Sequence, residues 1–225
     1  QILGQRHADI RNGLSIPLKI KLSNLFDLLS KPSWCYQMAR TKNRTFGNVM
    51  GHVKDITNLN SLTKWVQDQF DTRLNWDDVK RIKDWWGGKL IIKGIMDPDD
   101  AKMAQKCGAD ALVVSNHGGR QLDGVNSSIS TLPEIKKAVS NMEVLMDGGI
   151  SSGQDILKAI AMGAEGVMIG RSFVYGLSAG GKEGVTKSLE ILNKELDMTM
   201  ALCGRRDIKD VGRDIIKDCP FFEKN

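Results

Sequence analysis

The strongest constraint on the fold is a fourfold alternation between short apolar segments and helical patterns in the second part of the chain. The apolar segments cover residues 89–92, 111–115, 143–146 and 166–169. Short aliphatic runs separated by amphipathic helices are typical of buried parallel strands joined by helical crossovers. The sequence therefore predicts an α/β fold with a parallel sheet.

The turns that lead from helix to strand also recur. Residues 107–110 read CGAD and residues 162–165 read MGAE, and each Gly-Ala pair returns a helix to a strand. This recurrence favours a (β/α) TIM barrel over an open sheet, although a full barrel needs eight strands and about 250 residues. We therefore expect a single domain over residues 1–225, with a (β/α)4 half barrel of about four strands in 76–225. Residues 1–75 are predicted to form a long basic loop or insertion.

Charge and cysteine content exclude several classes of protein. The net charge is +5, but residues 19–54 hold seven basic side chains against Asp27 alone, a local charge of +6. A uniformly basic nucleic-acid-binding surface would be distributed differently, so we expect no nucleic-acid partner. The four cysteines show no CxxC pair and no metal-ligand spacing, which predicts a reduced cytoplasmic protein without a metal site. No signal peptide is visible, and no apolar run approaches the roughly 20 residues of a membrane helix.

Polar side chains end or follow each of the four predicted strands. Lys93 ends the first, while His117 and Arg120 follow the second, Asp147 the third and Arg171 the fourth. The carboxyl ends of parallel barrel strands form one rim where catalytic groups gather. We therefore expect these side chains to converge on one site, whereas any one of them alone would be read as a solvated loop residue.

The chemistry of these residues assigns roles to them. Three features predict a phosphate site: the glycines of 147–149, the serine-capped helix that follows them, and the Gly-Arg pair 170–171. His117, on a glycine-flanked loop, can act as a general base, and Arg120 can bind a carboxylate with two hydrogen bonds. Lys93, on an apolar strand, is predicted to be a buried cation whose partner could be an electron-rich cofactor ring.

Four motifs carry a resemblance to a known family. IIKG, SNHGGRQLDG, LMDGGI and MIGRSFVYGL, in this order and spacing, resemble the FMN-dependent α-hydroxy-acid dehydrogenases and oxidases. The opening LGQRHADIRNGL is similar to the segment after that family's fourth barrel strand, so the resemblance covers nearly the whole chain but only the second half of the family's fold. Barrels like IMP dehydrogenase or isopentenyl-diphosphate isomerase are the alternative. HGGRQ argues against them, because they do not need this carboxylate-binding pair.

The resemblance implies a role for each matching residue. His117 would take a proton, from carbon or from the hydroxyl group, while Arg6 and Arg120 hold the carboxylate of a small L-2-hydroxy acid, with lactate as the leading candidate. Lys93 would stabilise the anionic reduced flavin. The positions implied to bind FMN are Lys93, Ser115, Asp147, Gly148, Gly149, Ile150, Ser151, Gly170 and Arg171.

The chain departs from the family pattern in two ways. Ser151 stands where the family usually has an arginine directed at the FMN phosphate, and a serine brings no charge. The family's first four strands, which supply two substrate tyrosines and the aspartate that orients the catalytic histidine, precede the matched segment. We expect a fragment or split half that oxidises L-lactate to pyruvate with an N-terminal half supplied in trans. The alternative is an inactive truncated remnant that folds and oligomerises without turnover; in either case we expect a homo-oligomer.

Residues 17–73 correspond by this resemblance to a long loop that membrane-associated members lay on anionic bilayers. The pattern at residues 22–29 predicts an amphipathic helix that ends before Pro32. The local charge of +6 and the side chains of Phe26, Leu28 and Trp34 favour peripheral contact with the inner face of the cell membrane. A solvated lid is the alternative.

Overall fold

A computed structural model describes residues 7–13, 21–42, 65 and 68–217. The chain divides into two compact units, residues 1–74 and 75–225. The described part of the first unit contains three helices, α1 (His7–Arg11), α2 (Leu22–Leu29) and α3 (Pro32–Arg40). The predicted helix at 22–29 is therefore confirmed, and Pro32 begins the next helix. Among the described residues, none of the helices combines the length and the hydropathy needed to cross a bilayer.

The second unit alternates helices and strands as the sequence predicts. All neighbouring strands are parallel, and their order in the sheet is β1-β2-β3-β4. The strands are β1 (Ile91–Ile95), β2 (Ala111–Val114), β3 (Glu143–Asp147) and β4 (Gly166–Met168). The α-helices are α4 (Trp76–Trp86), α5 (Pro98–Lys106), α6 (Ser128–Ala138), α7 (Gly153–Ala161) and α8 (Arg171–Leu202). Three short 3₁₀ helices cover His117–Gly119, Ile208–Asp210 and Arg213–Ile215.

Local sequence sets where the helices begin. Asn75 caps α4 by accepting hydrogen bonds from the N–H groups of residues 77 and 78, and α4 ends at Gly87 with a φ of 63°. Asp97 caps α5, whose first residue is Pro98, a position where a missing N–H costs nothing. These caps fix where each helix begins. The carboxyl ends of the four strands lie on one side of the unit because all the strand pairs are parallel.

The core lies around the two central strands. All four residues of β2 are buried, and the largest fully buried side chains are Leu112, Leu132, Ile135, Met146, Val113, Val114 and Val144. The prediction that all four strands are buried is wrong for β1 and β4, where Ile91 is 52% exposed and Met168 is 42% exposed. These strands form the two edges of the described sheet, so each has a neighbouring strand on one side only.

Two turns with similar sequences have the same backbone structure. Gly108 and Gly163 both adopt positive φ, 82° and 107°. The following alanines donate equivalent hydrogen bonds, Ala109 N to Ala104 O and Ala164 N to Ala159 O, each 3.1 Å long. The CGAD and MGAE turns therefore end α5 and α7 in the same way, as glycine in the left-handed region commonly does.

The last helix is bent back on itself. Within α8, Gly180 and Gly181 leave helical geometry, and Gly181 has a φ of 59°. The segments on either side then pack so closely that a Cβ at Gly184 would lie 1.9 Å from the carbonyl oxygen of Gly176. Only glycine at both positions allows this approach, which brings the second segment of α8 back toward the ends of the strands.

Candidate active site

A cavity of about 830 Å³ lies at the carboxyl ends of the strands. All but two of the predicted site residues, Ser115 and Arg6, line it. The predicted residues that line the cavity are Lys93, His117, Arg120, Asp147, Gly148, Gly149, Ile150, Ser151, Gly170 and Arg171. Ser115 is not part of the lining; it is 3% exposed and is linked to the lining residue Lys93 by a hydrogen bond. Arg6 lies outside the described residues.

Lys93 joins three strands through its ammonium group. Its Nζ lies 2.7 Å from Oδ2 of Asp147 and donates a hydrogen bond of 2.8 Å to Oγ of Ser115. The side chain is 43% exposed, so the prediction of a buried cation is wrong. Lys93 pairs with Val113 and so lies on a strand, as predicted, although β1 continues beyond it to Ile95. Because β1 is an edge strand, the ammonium group keeps part of its contact with water. It therefore needs fewer protein partners than a fully buried cation would.

Asp147 presents an unused acceptor at the cavity. Its Oδ1 is buried and has no hydrogen-bond partner among the described residues, while Oδ2 pairs with Lys93. A buried carboxylate oxygen without a donor is costly, and such atoms commonly bond to a ligand. The atom is therefore a candidate acceptor for a hydroxyl or N–H group of a bound molecule.

The loop that carries His117 is wound in the left-handed sense. His117, Gly118 and Gly119 have φ angles of 57°, 66° and 69°. The backbone N–H of His117 donates to Oγ of Ser115 at 3.1 Å, and that of Gly119 donates to Oδ1 of Asn116 at 3.2 Å. These bonds hold the imidazole at the rim, where Nδ1 lies 3.1 Å from the amide nitrogen of Gln121.

The backbone N–H groups at the start of α7, which belong to the predicted phosphate site, already have hydrogen-bond partners in the structure. The N–H groups of Ser151 and Ser152 donate to Oδ2 of Asp155 at 3.1 and 3.0 Å, and Gly153 N donates to Oε2 of Glu195 at 2.9 Å. Burial raises the pKa of Asp155, but hydrogen bonds from Ser151 and Ser152 outweigh it and lower the pKa overall. Two carboxylates therefore occupy these three donors, which are part of the predicted phosphate site.

The start of α8 offers the better anion site. Gly170 occupies its N-cap position and provides no side-chain cap, and both Gly170 and Arg171 line the cavity. Nη2 of Arg171 lies 3.6 Å from the place that a Cβ of Gly118 would occupy. Uncapped N–H groups with a guanidinium beside them can bind an anion.

Sequence reasoning missed the cavity wall formed by α8. Tyr175, Ser188, Ile191 and Leu192 line the cavity. Ser188 and Ile191 are brought there by the reversal of α8 at residues 180–181. The Gly-Gly pair signals a break in the helix, but no local pattern shows where the second segment packs.

Comparisons with known sequences identify similar proteins. The family described as FMN-dependent dehydrogenase matches residues 1–218. The L-lactate dehydrogenase of Allorhizobium ampelinum is 43% identical over 213 residues, which are 94% of this chain and 56% of that protein. The L-lactate dehydrogenase of Caulobacter vibrioides (strain NA1000 / CB15N) is 42% identical over 217 residues, 96% of this chain and 56% of that protein. The chain thus spans about half the length of the curated relatives it matches.

Solved structures with the same arrangement include two mandelate enzymes. A monotopic membrane protein, (S)-mandelate dehydrogenase, superposes with a TM-score of 0.88 at 32% identity, covering 96% of this chain and 57% of that one. A mandelate oxidase superposes with a TM-score of 0.64 at 39% identity, covering 69% of this chain and 46% of that one. These likenesses confirm the predicted α/β fold of the barrel type, of which the chain matches about half.

Proposed function

The chain belongs to the FMN-dependent dehydrogenase family, and we propose that it forms part of the active site of an enzyme that oxidises a small L-2-hydroxy acid. L-Lactate, oxidised to pyruvate, is the first substrate to test, because the relatives named above are L-lactate dehydrogenases. The observation that carries this proposal is one cavity shared by a candidate base, a candidate carboxylate ligand and two further cations: His117, Arg120, Lys93 and Arg171.

The residues around the cavity fit FMN. A volume of about 830 Å³ lies within the range of roughly 300–1,000 Å³ that is usual for small-molecule sites. Lys93 supplies a cation for the electron-rich flavin ring, Oδ1 of Asp147 an acceptor for a hydroxyl or N–H group, and Arg171 a charge for the phosphate. When bound, FMN accepts the two electrons that leave the hydroxy acid.

The protein side chains then handle the proton and the carboxylate. Arg120 pairs with the substrate carboxylate through its planar guanidinium group, and Arg6 joins it by the family resemblance. His117 takes up a proton released from the substrate on oxidation, as a general base within reach of the bound acid. Lys93, held by Asp147 and Ser115, offers positive charge where negative charge accumulates.

Titration of FMN into the purified chain, followed by flavin fluorescence, tests the cofactor site first. We expect saturable binding that is weakened at least tenfold in a Lys93→Met variant, which keeps the length of the side chain without its charge. L-Lactate is then added anaerobically, with and without the N-terminal half of a relative, and loss of the absorption band of oxidised flavin is followed. Absence of FMN binding by the chain, both alone and together with the N-terminal half of a relative, would overturn the proposal.

A second candidate function is a folded remnant that does not turn over. The observation that favours it is the exposure of both sheet edges, at Ile91 and Met168. Exposed edge strands promote self-association, so this candidate predicts a stable oligomer that binds no FMN. Sedimentation with and without FMN distinguishes this remnant from the proposed enzyme. A sedimenting species that carries flavin would exclude the remnant.

We also propose that the first unit contacts the cytoplasmic face of the cell membrane. Phe26 on α2 and Trp34 on α3 are 71% and 51% exposed, and Lys21, Lys31 and Arg40 flank them. Apolar side chains beside lysines suit an anionic bilayer surface, and the similar (S)-mandelate dehydrogenase is a monotopic membrane protein. Flotation with anionic vesicles should be lost in Phe26→Asp and retained in the matched Asn24→Asp control, whereas equal flotation of both variants would argue against contact through Phe26.

A further inference from the structure

We propose that Ser172 is a positioning residue whose hydroxyl group ties the loop after β3 to the first turn of α8. The tie fixes the spacing between the two parts of the candidate phosphate site. The inference rests on the proposed function, because that site would hold the phosphate of FMN. One of the tests below needs no flavin, so failure of the inference is distinguishable from failure of the proposed function.

The tie is a single hydrogen bond between two segments that are distant in the chain. Oγ of Ser172 donates to the carbonyl oxygen of Ile150 at 3.0 Å, across 22 positions. Ile150 is 7% exposed and Ser172 is half-buried, so water has limited access to the bond. Loss of the hydroxyl group would leave the carbonyl oxygen without this donor in a place where water replaces it poorly. The bond therefore holds the two segments at one separation.

A serine in a helix often bonds to a carbonyl group of its own helix. Ser188 on α8 does so, because its Oγ donates to the carbonyl oxygen of Gly184 at 3.0 Å, four residues earlier. Ser172 lies in the first turn of the same helix, after the N-cap residue Gly170, which has no side chain to cap the helix. Its hydroxyl group is nevertheless directed at the loop after β3. It thus stabilises the contact between the two segments rather than the helix itself.

The two segments carry the groups that would surround a phosphate. Residues 148–149, directly before Ile150, line the cavity from the end of β3, and residues 170–171 line it from the start of α8. The N–H groups at the start of α7 are already bonded to carboxylates, which leaves more of the anion binding to the start of α8. The distance between the two segments then decides whether one phosphate can contact both. A side chain that fixes this distance preorganises the site.

Titrations with FMN and with riboflavin test this role by flavin fluorescence. Riboflavin has the same ring system and ribityl chain but no phosphate, so it does not need the two segments as an anion site. Ser172→Ala should raise the Kd for FMN about three- to tenfold, the usual effect of one hydrogen bond, and leave the Kd for riboflavin unchanged. Ser172→Thr keeps the hydroxyl group and should bind FMN as the wild type does. An equal loss of affinity for both flavins in Ser172→Ala would indicate a merely structural role and overturn the proposal.

The matched control is Thr199→Val, which removes another hydroxyl group from α8 at nearly constant volume. Oγ1 of Thr199 donates to the carbonyl oxygen of Glu195 at 2.6 Å, within the helix. Neither residue lines the cavity. This variant should therefore leave the Kd for both flavins unchanged.

Amide hydrogen exchange of the full chain without flavin gives the second readout. The N–H groups of Ser151 and Ser152, which follow the tied residue and bond to Asp155, report on the loop after β3. Their exchange should be faster in Ser172→Ala than in the wild type, and unchanged in Ser172→Thr and Thr199→Val. If no variant binds flavin, the proposed function fails and exchange alone decides on Ser172. Equal exchange in Ser172→Ala and Thr199→Val would overturn the proposal in either case.

Discussion

Asp110 and Glu165 hold equivalent places in two successive strand pairs. Asp110, directly before β2, accepts a hydrogen bond of 2.8 Å from the N–H of Leu90 and forms an ion pair with Lys83 on α4. Glu165, directly before β4, accepts a hydrogen bond of 2.8 Å from the N–H of Val144 and forms an ion pair with Lys136 on α6. Both acids lie at the amino ends of the strands, opposite the cavity, where barrel residues contribute to stability.

Replacing Asp110 with asparagine should destabilise the chain in a pH-dependent way. Hydrogen bonds from Lys83, Lys89 and the N–H of Leu90 lower the pKa of Asp110. A lowered pKa means that the stabilisation is fully present above the ordinary carboxyl pKa of about 4 and is lost as pH falls further. Urea unfolding should show a lower midpoint for Asp110→Asn at neutral pH, and the gap should narrow below about pH 4.

A suitable control for this prediction is Asp99→Asn. Asp99 pairs with Lys102 on the surface of α5, and its pKa is lowered through the hydrogen bond from Lys102. Exposed pairs of this kind stabilise little. An equal effect of the two substitutions at neutral pH would contradict the structural role of Asp110.

Gly153→Ala should be strongly destabilising. A Cβ at residue 153 would lie 2.0 Å from the backbone nitrogen of Leu196 on α8. The two helices would have to separate, at a cost of about 3 kcal/mol in the free energy of unfolding. Gln154→Ala, an exposed change at the next position, should be nearly neutral in the same thermal unfolding experiment. Similar values for the two variants would show that α7 and α8 are less closely packed.

Ser151→Arg should tighten the binding of FMN. The added guanidinium would lie near the start of α7 and could form a charge-assisted hydrogen bond with phosphate, which is worth about 1.5–3 kcal/mol. Asp155 will compete for it, because its Oδ2 already accepts from Ser151. We therefore expect the lower end of the range, about a tenfold lower Kd by flavin fluorescence. Ser151→Gln provides length without charge, and an equal gain in that variant would show that charge is not the cause.

His117→Ala should abolish most turnover while FMN still binds. Loss of a general base typically lowers kcat by about 10²–10⁴, and the cofactor contacts proposed for Lys93, Asp147 and Arg171 do not involve the imidazole. Flavin titration and anaerobic reduction by L-lactate measure the two effects separately. Reduction of bound flavin at an undiminished rate in this variant would remove His117 from the proton step.

Arg120→Lys should act mainly on the affinity for the substrate. Lysine keeps the positive charge but loses the planar pair of donors that meets a carboxylate. We expect KM for L-lactate to rise by about one order of magnitude, corresponding to about 1.4 kcal/mol, with a smaller change in kcat. An unaltered KM would mean that the carboxylate binds elsewhere.

The positions of the strands and of the site could be predicted because both depend on local patterns. Apolar runs marked β1 to β4, and glycine-rich segments marked the strand ends that surround the cavity. The end of the first strand was misplaced because pairing continues past Lys93 to Ile95, with an irregularity at Gly94. That pairing depends on the neighbouring strand and leaves no local signal.

Contacts between distant residues account for the other errors. Glu195 reaches the N–H of Gly153 across 42 positions in the chain, and no helix-capping rule could have included it. Exposure of Lys93 likewise depends on the position of β1 at the edge of the described sheet. The predicted homo-oligomer and the partner supplied in trans stay predictions, as does the role of Arg6.

The left-handed winding of residues 117–119 means that the conformational cost of placing the candidate base is met when the chain folds. A non-glycine residue in this region of the Ramachandran plot stores about 1–3 kcal/mol of conformational strain, and His117 is such a residue. The folded chain meets this cost in advance, through the hydrogen bonds to Ser115 and Asn116. Preorganisation of this kind leaves little loop ordering for an arriving substrate to drive, so its binding energy remains available for the transition state.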